Sequence, residues 1–495
     1  MRKKYFIFAF LLFLSILVST SFAQWQNVTT GIDYQPFVVT VGSGRNEVFV
    51  SRMLRSDTEC IIDACIANGK VCSNGGRQTV SQMANRYEDS ISYWDEQWGK
   101  RYDVVAAING DYWDTTNNTA LGGIITSGVY AKRFSELTGG SGFGYKLPGP
   151  GRYPFLGGCV GHRPFKQLII YPDTTTSQFD GINVTRDSNQ IIVYTQHFGP
   201  KTPTQTTGVD VLVEMSRMPG IYPSPNGGLG TVKEIRQNQG DTYIPFDHAV
   251  ISASGSKATT LLSKISVGSA IKISNEITDY QGDCNTTSSF DWTKTFSSIG
   301  GTGVVLQGGI VLSQTNTDVH PRTAVAYNAD YIFFIVVDGR RAPTSYGMTF
   351  QELGEFCLNN LGATDATSQD GGGSSCLWVN GQVKNQPSDG SERATYDGLM
   401  MIRLLAKVQT TTYSAGASVY APSGTTVYLG PGSNHHVLGS APTGQQGTIV
   451  AHSVNGVSAK GKNWWKWSYG TTTGWSSEDT LASYPPSKIP EWMLY

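Results

Sequence analysis

Short apolar strands separated by glycine-containing turns recur along this chain, and this alternation restricts it to a β-rich fold. Runs of β-branched and aromatic residues bounded by turn residues predict strands. The 57 glycines supply turn formers for many such strands. We predict an α+β fold, in which a mixed β-sheet or half-barrel carries a few helices. The densest series, between about residues 165 and 280, comprises QLIIYP, QIIVYT, VDVLVEM, TVKEIR, AVISASG and AIKISNE, which indicates a meander or half-barrel.

Two segments depart from this pattern and predict amphipathic helices. In residues 77–98, apolar side chains recur at helical spacing from Val80 to Trp98. Thr349 and Glu352 form a T-x-x-E capping box ahead of a second apolar stripe, which ends at Gly362. Apolar stripes of this kind usually pack against a core, so neither helix is predicted to be a binding face.

The N-terminus predicts export. Three basic residues precede an apolar run over residues 6–18, and Ser21-Phe22-Ala23 has small residues where a signal peptidase cuts. We predict a signal peptide over residues 1–23 and a secreted, periplasmic or cell-surface protein. No later apolar run is long enough for a membrane span. The balance of 37 basic and 38 acidic residues argues against a nucleic-acid partner.

Composition changes divide the mature chain into a large domain and a small one. The apolar segment GLMMIRLLA closes a domain over residues 24–406, and a Thr/Ser/Ala/Gly-rich stretch over 407–418 predicts a linker. Closely spaced short strands over 419–484 predict a small β-barrel, with a poorly structured tail over 485–495. The run Trp464-Trp465-x-Trp467 is predicted to lie in the core of that barrel, with a ligand groove as the alternative.

All seven cysteines follow the predicted cleavage site, and in an oxidising compartment some should pair. Cys60, Cys65 and Cys72 share one polar segment, which predicts a local disulfide loop. A zinc site is the weaker alternative, because no histidine lies nearby. The odd number leaves at least one free thiol. Cys357, on the apolar face of the second helix, is the candidate.

The segment DGGGSS at 370–375 is the strongest candidate for chemistry. Glycine tolerates positive φ, so three glycines let backbone amides approach a ligand closely and form an anion nest. Asp370 supplies a carboxylate, and Ser374 and Ser375 supply hydroxyls. The alternative is a plain turn or flexible linker. The segment lies between a helix and an apolar strand, where no linker is needed.

Three other polar clusters stand at the ends of apolar strands. Such clusters often meet in a cleft, although a strand-end aspartate can simply cap a turn and an arginine can form a surface ion pair. The apolar run YIFFIVV, which precedes one cluster, predicts a central strand. The clusters are Asn109, Asp111 and Asp114; His320 and Arg322; and Asp338, Arg340 and Arg341.

Together these pieces resemble the phosphodiester glycosidase family over roughly residues 100–405. This family usually has a small residue where Asp111 stands, and Cys376 replaces a usual threonine. The motifs that carry the resemblance, in order, are AAINGDYWD (106–114), GGIITSG (122–128), HPRTAVAYNADYIFFIVVDGRR (320–341), GMTFQELGEFCLNNLGATDA (347–366), QDGGGSSCLWVNG (369–381) and SERATYDGLMMI (391–402).

The C-terminal segment resembles a bacterial SH3-like domain. The matching features are the LGPGS turn at 429–433 and the ending GWSSEDTL at 474–481. This resemblance implies a cell-wall peptide or glycan as ligand, or packing of the module against its own enzyme.

The family resemblance implies a hydrolase that breaks the bond between an anomeric sugar carbon and a phosphodiester. No motif demands a metal or cofactor; the acidic clusters could hold calcium, but no EF-hand spacing occurs. A carboxylate would meet the anomeric carbon while cations hold the departing phosphate. Asp370 is the favoured nucleophile or base. Asp338 would support Asp370 or hold sugar hydroxyls, and His320 would be a proton donor. Arg322 and Arg393 are the phosphate clamps. The implied substrate-binding set also contains Asn109, Asp111, Arg340, Gly371, Gly372, Gly373, Ser374 and Ser375.

Two other functions fit the same motifs. Asp111 and the altered flanks of DGGGSS favour a non-catalytic protein that binds cell-wall or other glycans through a degenerate pocket. A different glycosidase or a transferase on the same scaffold is the third alternative.

Overall fold

The structure is a computed structural model that describes residues 24–71, 75–92, 98–116, 118–134, 141–147, 153–156, 160–278 and 295–484. Strands dominate these residues and helices are few, as the sequence predicts. The described α-helices are Val80–Tyr87, Gly255–Lys264 and Phe350–Leu361, and the described 3-10 turns include Ala67–Gly69, Gly372–Ser374 and Glu478–Thr480.

Sheet I is an eight-stranded antiparallel sheet built from three distant parts of the chain. Its central strand, Tyr331–Val337, is buried, which confirms the prediction from its apolar sequence. Across the sheet the strands are Gln26–Thr29, Ile32–Val41, Gly44–Leu54, Tyr331–Val337, Arg322–Tyr327, Asp365–Ser368, Gly303–Gln307 and Ile310–Val311.

Sheets II and III pack with one face of sheet I. Phe334 of sheet I, Ile108 of sheet II and Phe296 of sheet III share one buried apolar cluster. The order of sheet II is Gln382–Val383, Leu377–Val379, Arg101–Asn109, Asp397–Leu405 and Cys60–Ile66. Sheet III contains Tyr153–Leu156, Gly142–Lys146, Thr295–Gly300, Ile124–Thr126 and Val129–Lys132, and a small ribbon pairs Trp113–Asp114 with Thr119–Ala120.

Sheet IV holds the strand-rich middle of the chain. Its apolar face shares a core with the outer face of sheet III and with helix Gly255–Lys264, through residues such as Val193, Tyr130 and Leu261. One of its strand pairs is parallel, between Gly181–Ile182 and Ile191–Tyr194. Across the sheet lie Thr176–Gln178, Arg163–Ile170, Ala270–Thr278, Gly228–Gln237, Val209–Met215, His248–Ala253, Ile191–Tyr194 and Gly181–Ile182.

Sheet V forms the C-terminal unit. Trp464, Trp465 and Trp467 are all buried, as predicted for core residues. The predicted linker lies against this sheet, because the hydroxyl of Tyr413 donates to Leu481 O. Resemblance to an SH3-like domain stays a prediction. The strands are Val437–Ala441, Thr425–Tyr428, Thr472–Ser477, Lys462–Tyr469, Gln445–Ile449, Ser418–Ala421 and Ala482–Ser483, with Val457–Ala459 beside Lys462–Tyr469.

The two predicted helices differ in outcome. The helix expected over 77–98 begins after a capping box at Thr79 and ends at Tyr87, and Asp89 has a left-handed backbone that stops the helix. The second helix is confirmed. Thr349 and Glu352 form the capping box, Gly362 closes it at φ +62°, and its apolar stripe packs on the other face of sheet I.

The cysteines correct one prediction. Cys60 and Cys65 are free thiols on a single buried strand, so neither forms the predicted local disulfide; Cys72 lies outside the described residues. Successive side chains of a strand point to opposite faces, and an odd separation therefore places these two thiols on opposite sides of the sheet. Cys357 is a buried free thiol, as predicted.

Two predictions about the ends of the chain fall outside the described residues, namely the signal peptide over 1–23 and the tail over 485–495. Among the residues that are described, no helix has the length and apolar character needed to cross a bilayer.

Chemical labelling tests the cysteine assignment. Alkylation of the unfolded, unreduced protein should modify Cys60 and Cys65 fully, because both carry free thiols. Mass spectrometry of the digest measures the modification, with a reduced sample as the control. Labelling of Cys60 or Cys65 only after reduction would contradict the structure.

Candidate functional site

Strand ends from sheets I and II meet at one edge of the molecule. In sheet I, Arg322 pairs with Val337 and Ala324 pairs with Ser368. The strands that precede Asp338 and Asp370 therefore end at the same edge of the sheet, on either side of Arg322–Tyr327. In sheet II, Asn109 pairs with Gly398. These registers bring together segments that are far apart in the sequence.

Asn109 joins the two sheets and is fully buried. Its Nδ2 donates to Asp370 O at 2.7 Å, and its Oδ1 accepts from Thr323 Oγ1 at 2.8 Å and from Cys376 N at 3.1 Å. These bonds hold both ends of the DGGGSS segment. The amide of Asn109 is thus used inside the protein, and its role in binding substrate hydroxyls or phosphate stays a prediction.

Each glycine of DGGGSS permits a different close approach. A Cβ on Gly371 would lie 2.8 Å from Pro321 O, and a Cβ on Gly373 would lie 2.0 Å from Arg393 Nη2. Gly372 has φ +62°, which L residues with side chains rarely adopt. The three glycines thus let a turn fit between the strand that starts at Arg322 and the Arg393 side chain.

The predicted anion nest does not form. The amide of Gly372 donates to Pro321 O at 2.9 Å, that of Ser374 to Gly371 O at 3.2 Å and that of Ser375 to Gly372 O at 3.3 Å. A nest needs successive amides free to face a ligand. These three amides already donate to backbone carbonyl oxygens, so an anion would be held by side chains instead.

Asp370 lies at the start of this turn and is 7% exposed. Its amide donates to Gly110 O at 2.9 Å. Burial raises the pKa of its carboxyl, while the Ser374 hydroxyl, the nearby Arg393 and the Gly371 amide oppose that rise. The carboxylate is thus supported by three groups and keeps a small accessible surface.

Two guanidinium groups, those of Arg340 and Arg322, lie on one side of the glycine turn. The Arg340 guanidinium lies 3.2 Å from where a Cβ on Gly372 would stand, and its Nη2 is 3.3 Å from His320 Nδ1. Arg322 is buried, stacks on the ring of Phe350 at 3.8 Å and donates through Nε to Met348 O at 2.8 Å. The Arg340 guanidinium is thus beside the turn. For Arg322, Cδ lies 3.9 Å from where a Cβ on Gly371 would stand, and the guanidinium is held by Phe350 and Met348.

His320 is less often protonated near neutral pH than a histidine with an ordinary pKa, which works against its predicted role as a proton donor. Burial and the adjacent Arg322 and Arg340 lower its pKa, so its ring is mostly neutral at neutral pH. The 3.3 Å contact with Arg340 instead suits His320 to orient that guanidinium.

Arg393 stands on the other side of the turn. Its Nε and Nη2 contact Asp389 Oδ2 at 2.8 and 2.6 Å, and its Nη1 is 3.5 Å from Ser374 Oγ. This ion pair is partly exposed, so its contribution to stability is small. Its effect is geometric, because Asp389 holds the guanidinium against the serine that contacts Asp370.

Behind Asp370 lies a buried pair of carboxyl groups that includes Asp397, which sequence analysis missed. The Asp111 amide donates to Asp397 Oδ1 at 2.8 Å. A Cβ on Gly110 would lie 2.4 Å from that oxygen, and one on Gly122 or Gly300 would lie 2.3 or 2.0 Å from Asp111 Oδ2. Three glycines therefore frame the pair closely.

Burial and mutual repulsion favour the protonated forms of these two carboxyl groups. The pKa of Asp111 rises to about 7, chiefly by burial. The pKa of Asp397 rises well above its usual range for the same reason, with the charge of Asp111 adding to it. Lys132 lies near both carboxyl groups and donates to Gly122 O at 2.9 Å; burial lowers its pKa to about 8.

Tyr112 links the carboxyl groups to the cations. It is 40% exposed, its hydroxyl hydrogen-bonds to Thr302, and both Asp370 and Arg322 affect its pKa, which burial raises. Sequence analysis also missed this residue. Both missed residues have the strand-end position that marks the other candidates. Tyr112 follows the strand-end Asn109, and Asp397 stands at the start of a buried strand.

The structure separates Asp338 from the other predicted carboxylate. Asp338 is 1% exposed, and it accepts from Asn385 Nδ2 at 3.0 Å, from Gln386 N at 3.0 Å and from Arg341 Nη1 at 2.9 Å. Asn385 Nδ2 in turn donates to Ser375 O at 3.0 Å. Asp338 therefore supports the loop below DGGGSS, and its predicted contact with a sugar is not supported.

The remaining predicted residues lie around Asp370. Ser374 is fully buried, and the buried hydroxyl of Ser375 has no protein partner among the described residues. Within the described part of the chain, no group of three or more His, Cys, Asp or Glu side chains is arranged to hold a metal ion.

Comparison with known families identifies the region that contributes most of the site. The sequence model of the phosphodiester glycosidase family matches residues 225–402. This span contains His320, Arg322, Asp370, Arg393 and Asp397, whereas Asn109 and Asp111 lie outside it. A search among curated proteins found no match to the chain.

Three solved structures are similar at low identity. A hypothetical protein from Synechocystis is 16% identical, with 77% of this chain and 64% of that chain covered and a TM-score of 0.48. A Burkholderia pseudomallei protein is 16% identical over 73% of this chain and 74% of that chain, with a TM-score of 0.46. The catalytic domain of zebrafish N-acetylglucosamine-1-phosphodiester alpha-N-acetylglucosaminidase is 14% identical over 77% of this chain and 87% of that chain, with a TM-score of 0.34.

Replacement of Gly373 by alanine tests the packing of the turn. The new Cβ would overlap Arg393 Nη2 and Asp389, so the ion pair must move. We expect Gly373→Ala to lower the free energy of unfolding by about 1–3 kcal/mol. Gly303→Ala, where nothing lies within 4 Å of the added Cβ, is the matched control. Urea unfolding measures both, and equal stability of the two variants would contradict this packing.

The buried carboxyl pair predicts a loss of stability as pH rises. The folded pKa of Asp111, about 7, exceeds the value of about 4 in an unfolded chain. The folded protein therefore keeps a proton that the unfolded chain releases, and the free energy of unfolding falls by about 1 kcal/mol per pH unit between pH 5 and 7 for this group. We expect Asp111→Asn to reduce this slope.

Urea unfolding at pH 5, 6 and 7 measures the slope. Asp187→Asn, at an exposed position, is the control and should leave the slope unchanged. A slope that is identical in the Asp111→Asn variant and the wild-type protein would show that Asp111 is ionised throughout this range.

Proposed function

We propose that this protein is an exported hydrolase that cleaves the bond between the anomeric carbon of a sugar and a phosphodiester, in a cell-surface or extracellular glycan. One observation carries the proposal: Asp370 lies on a glycine turn with arginines on both sides, inside the span that matches the phosphodiester glycosidase family. An acid beside fixed guanidinium groups suits a substrate that joins a sugar to a phosphate.

The proposed reaction needs two kinds of group at the turn, a carboxylate for the sugar and cations for the phosphate. Cleavage at an anomeric carbon builds positive charge on the sugar, which a carboxylate stabilises by direct attack or by activating water. Asp370 takes this role. The phosphodiester leaves as an anion, and Arg322, Arg340 and Arg393 are the cations that would receive it. A phosphodiester is a good leaving group, so a strong general acid is not required.

The carboxyl pair behind Asp370 has a supporting role in this proposal. Three neighbouring carboxylates would repel each other in a buried site, and each would resist ionisation. A protonated Asp397, hydrogen-bonded to the Asp111 amide, removes one of these charges. Asp370 has Ser374 and Arg393 beside it and is then the group best able to remain ionised.

Export and surface binding complete the proposal. The signal-peptide pattern over 1–23 supports export, and the C-terminal unit would place the enzyme on its polymer. A carbohydrate or glycosyl-phosphate is the proposed partner of the site, and a cell-wall peptide or glycan is the proposed partner of the C-terminal unit.

Replacement of Asp370 and of Asp338, one at a time, distinguishes a catalytic carboxylate from a structural one. Asp370→Asn should reduce kcat by at least about a thousandfold with an unchanged melting temperature, because it removes the reacting carboxylate and keeps the shape. Asp338→Asn should lower the melting temperature and leave kcat of the folded protein within about threefold. The assay monitors release of phosphate monoester from an N-acetylglucosaminyl phosphodiester. Full activity of Asp370→Asn would refute its assignment.

Comparison of a substrate that contains a phosphate with one that lacks it tests the proposed role of Arg340. Loss of a charge-assisted hydrogen bond costs about 1.5–3 kcal/mol, so Arg340→Gln should lower kcat/KM for a glycosyl phosphodiester about 10- to 100-fold. Turnover of a p-nitrophenyl glycoside, which has no phosphate, should change little. An equal loss on both substrates would contradict the phosphate role. Wall-polymer binding without release of sugar or phosphate from any substrate would favour the non-catalytic alternative.

A further inference from the structure

A polar cavity lies away from the Asp370 site, where several parts of the chain meet. Its volume is about 150 Å³, roughly ten times the space that one water molecule requires. Helix Val80–Tyr87 and its flanks form one wall. Loops of sheet IV, with residues of sheets II and III such as Tyr102 and Thr126, form another, and a loop of the C-terminal unit over 429–436 closes the third. The cavity is incomplete without the C-terminal unit.

One wall of the cavity carries a guanidinium that lacks a counterion. Arg86 donates through Nη2 to Ile66 O at 2.9 Å and stacks over the ring of Tyr87 at 4.5 Å, while its Nε is buried without a hydrogen-bond partner. Among the described residues, no carboxylate forms an ion pair with it. The other cation in the lining is Lys70, and the lining contains no Asp or Glu. Partly buried cations without carboxylates favour an anionic ligand.

The other two walls offer unsatisfied acceptors. His197 is 6% exposed, and its Nδ1 lies 3.3 Å from Gly69 O. A ring nitrogen that faces a carbonyl carries the proton, so Nε2 is left as a buried acceptor without a partner. Asn434 donates through Nδ2 to Ser90 Oγ at 3.3 Å, and its buried Oδ1 has no partner either. Both acceptors require hydroxyl or amide donors.

These requirements together describe an acidic sugar. A ligand must offer donors to His197 and Asn434, an acceptor to Arg86 Nε and a negative charge to the Arg86–Lys70 side. The rings of Tyr87 and Phe246, which also line the cavity, suit the apolar face of a sugar ring. We propose that the cavity closed by the C-terminal unit is a second carbohydrate site, which binds a sugar bearing a phosphate or carboxylate group. This site does not rest on the chemistry proposed for Asp370.

Calorimetric titration of the full chain with three probes tests this site. N-acetylglucosamine 1-phosphate combines hydroxyls with a charge, whereas N-acetylglucosamine and inorganic phosphate each supply one of these features. We expect the sugar phosphate to bind at least tenfold more tightly than either partial probe. Asn434→Asp keeps the side-chain shape and adds a negative charge. It should weaken the sugar phosphate about tenfold and leave N-acetylglucosamine unchanged.

Two further variants separate this site from the Asp370 site. Arg86→Met keeps the length of the side chain and removes its charge, and it should abolish the cavity's binding event without changing phosphodiester turnover. Arg340→Gln should slow phosphodiester turnover and leave the cavity's binding event unchanged. The two variants therefore distinguish an error in the proposal for the cavity from an error in the proposal for the Asp370 site. Melting temperatures check that each variant is folded.

Three results would overturn the proposal. Binding of the sugar phosphate that is unchanged in both Arg86→Met and Asn434→Asp would place it elsewhere. Equal affinity for inorganic phosphate would exclude the sugar requirement. Absence of any binding event that depends on Arg86 would show that the cavity holds only water.

Discussion

The hydrogen bonds of Asn109 are the interaction on which the candidate site depends. This one buried side chain contacts Thr323 on sheet I, Asp370 O at the start of the glycine turn and Cys376 N at its end. A buried amide that loses such partners costs free energy, so the three contacts fix one another. The distance between the two sheets and the position of Asp370 are thus set together. Asn109 is a positioning residue, although its place in the sequence suggests a ligand contact.

The charged groups of the site lie at two depths relative to Asp370. Asp111 and Asp397 lie behind Asp370 with raised pKa values, and Arg322, Arg340 and Arg393 lie around the turn in front of them. Protonation of the rear pair limits repulsion on Asp370, while the guanidinium groups favour an anion at the surface. The glycines make both layers possible, because a Cβ at Gly110 or Gly373 would occupy space now filled by an oxygen or a guanidinium nitrogen.

Local features of the fold were predictable from the sequence. The central strand Tyr331–Val337, the capping box at Thr349 and the helix end at Gly362 all stand where their patterns indicate. Each depends on interactions between residues a few positions apart. Members of the strand-end clusters, such as Asn109 and Arg340, lie at the glycine turn, whereas Asp338 bonds to a neighbouring loop. The longer helix expected over 77–98 failed because left-handed Asp89 and the pairing of Ile91 with Arg101 override the apolar spacing.

The sequence by itself determined which segments are strands, where the glycine turn lies and which polar residues stand at strand ends. Only the tertiary structure decided how those polar groups are used. The Asp338 carboxylate accepts hydrogen bonds from Asn385 and Gln386. The amides of the glycine turn donate to Pro321 O and to carbonyl oxygens of the turn. The Asp397 carboxylate accepts from the Asp111 amide. The reason is that these partners come from segments tens to hundreds of positions apart. Which donor reaches which acceptor depends on the packing of whole sheets, and a local pattern does not encode that packing.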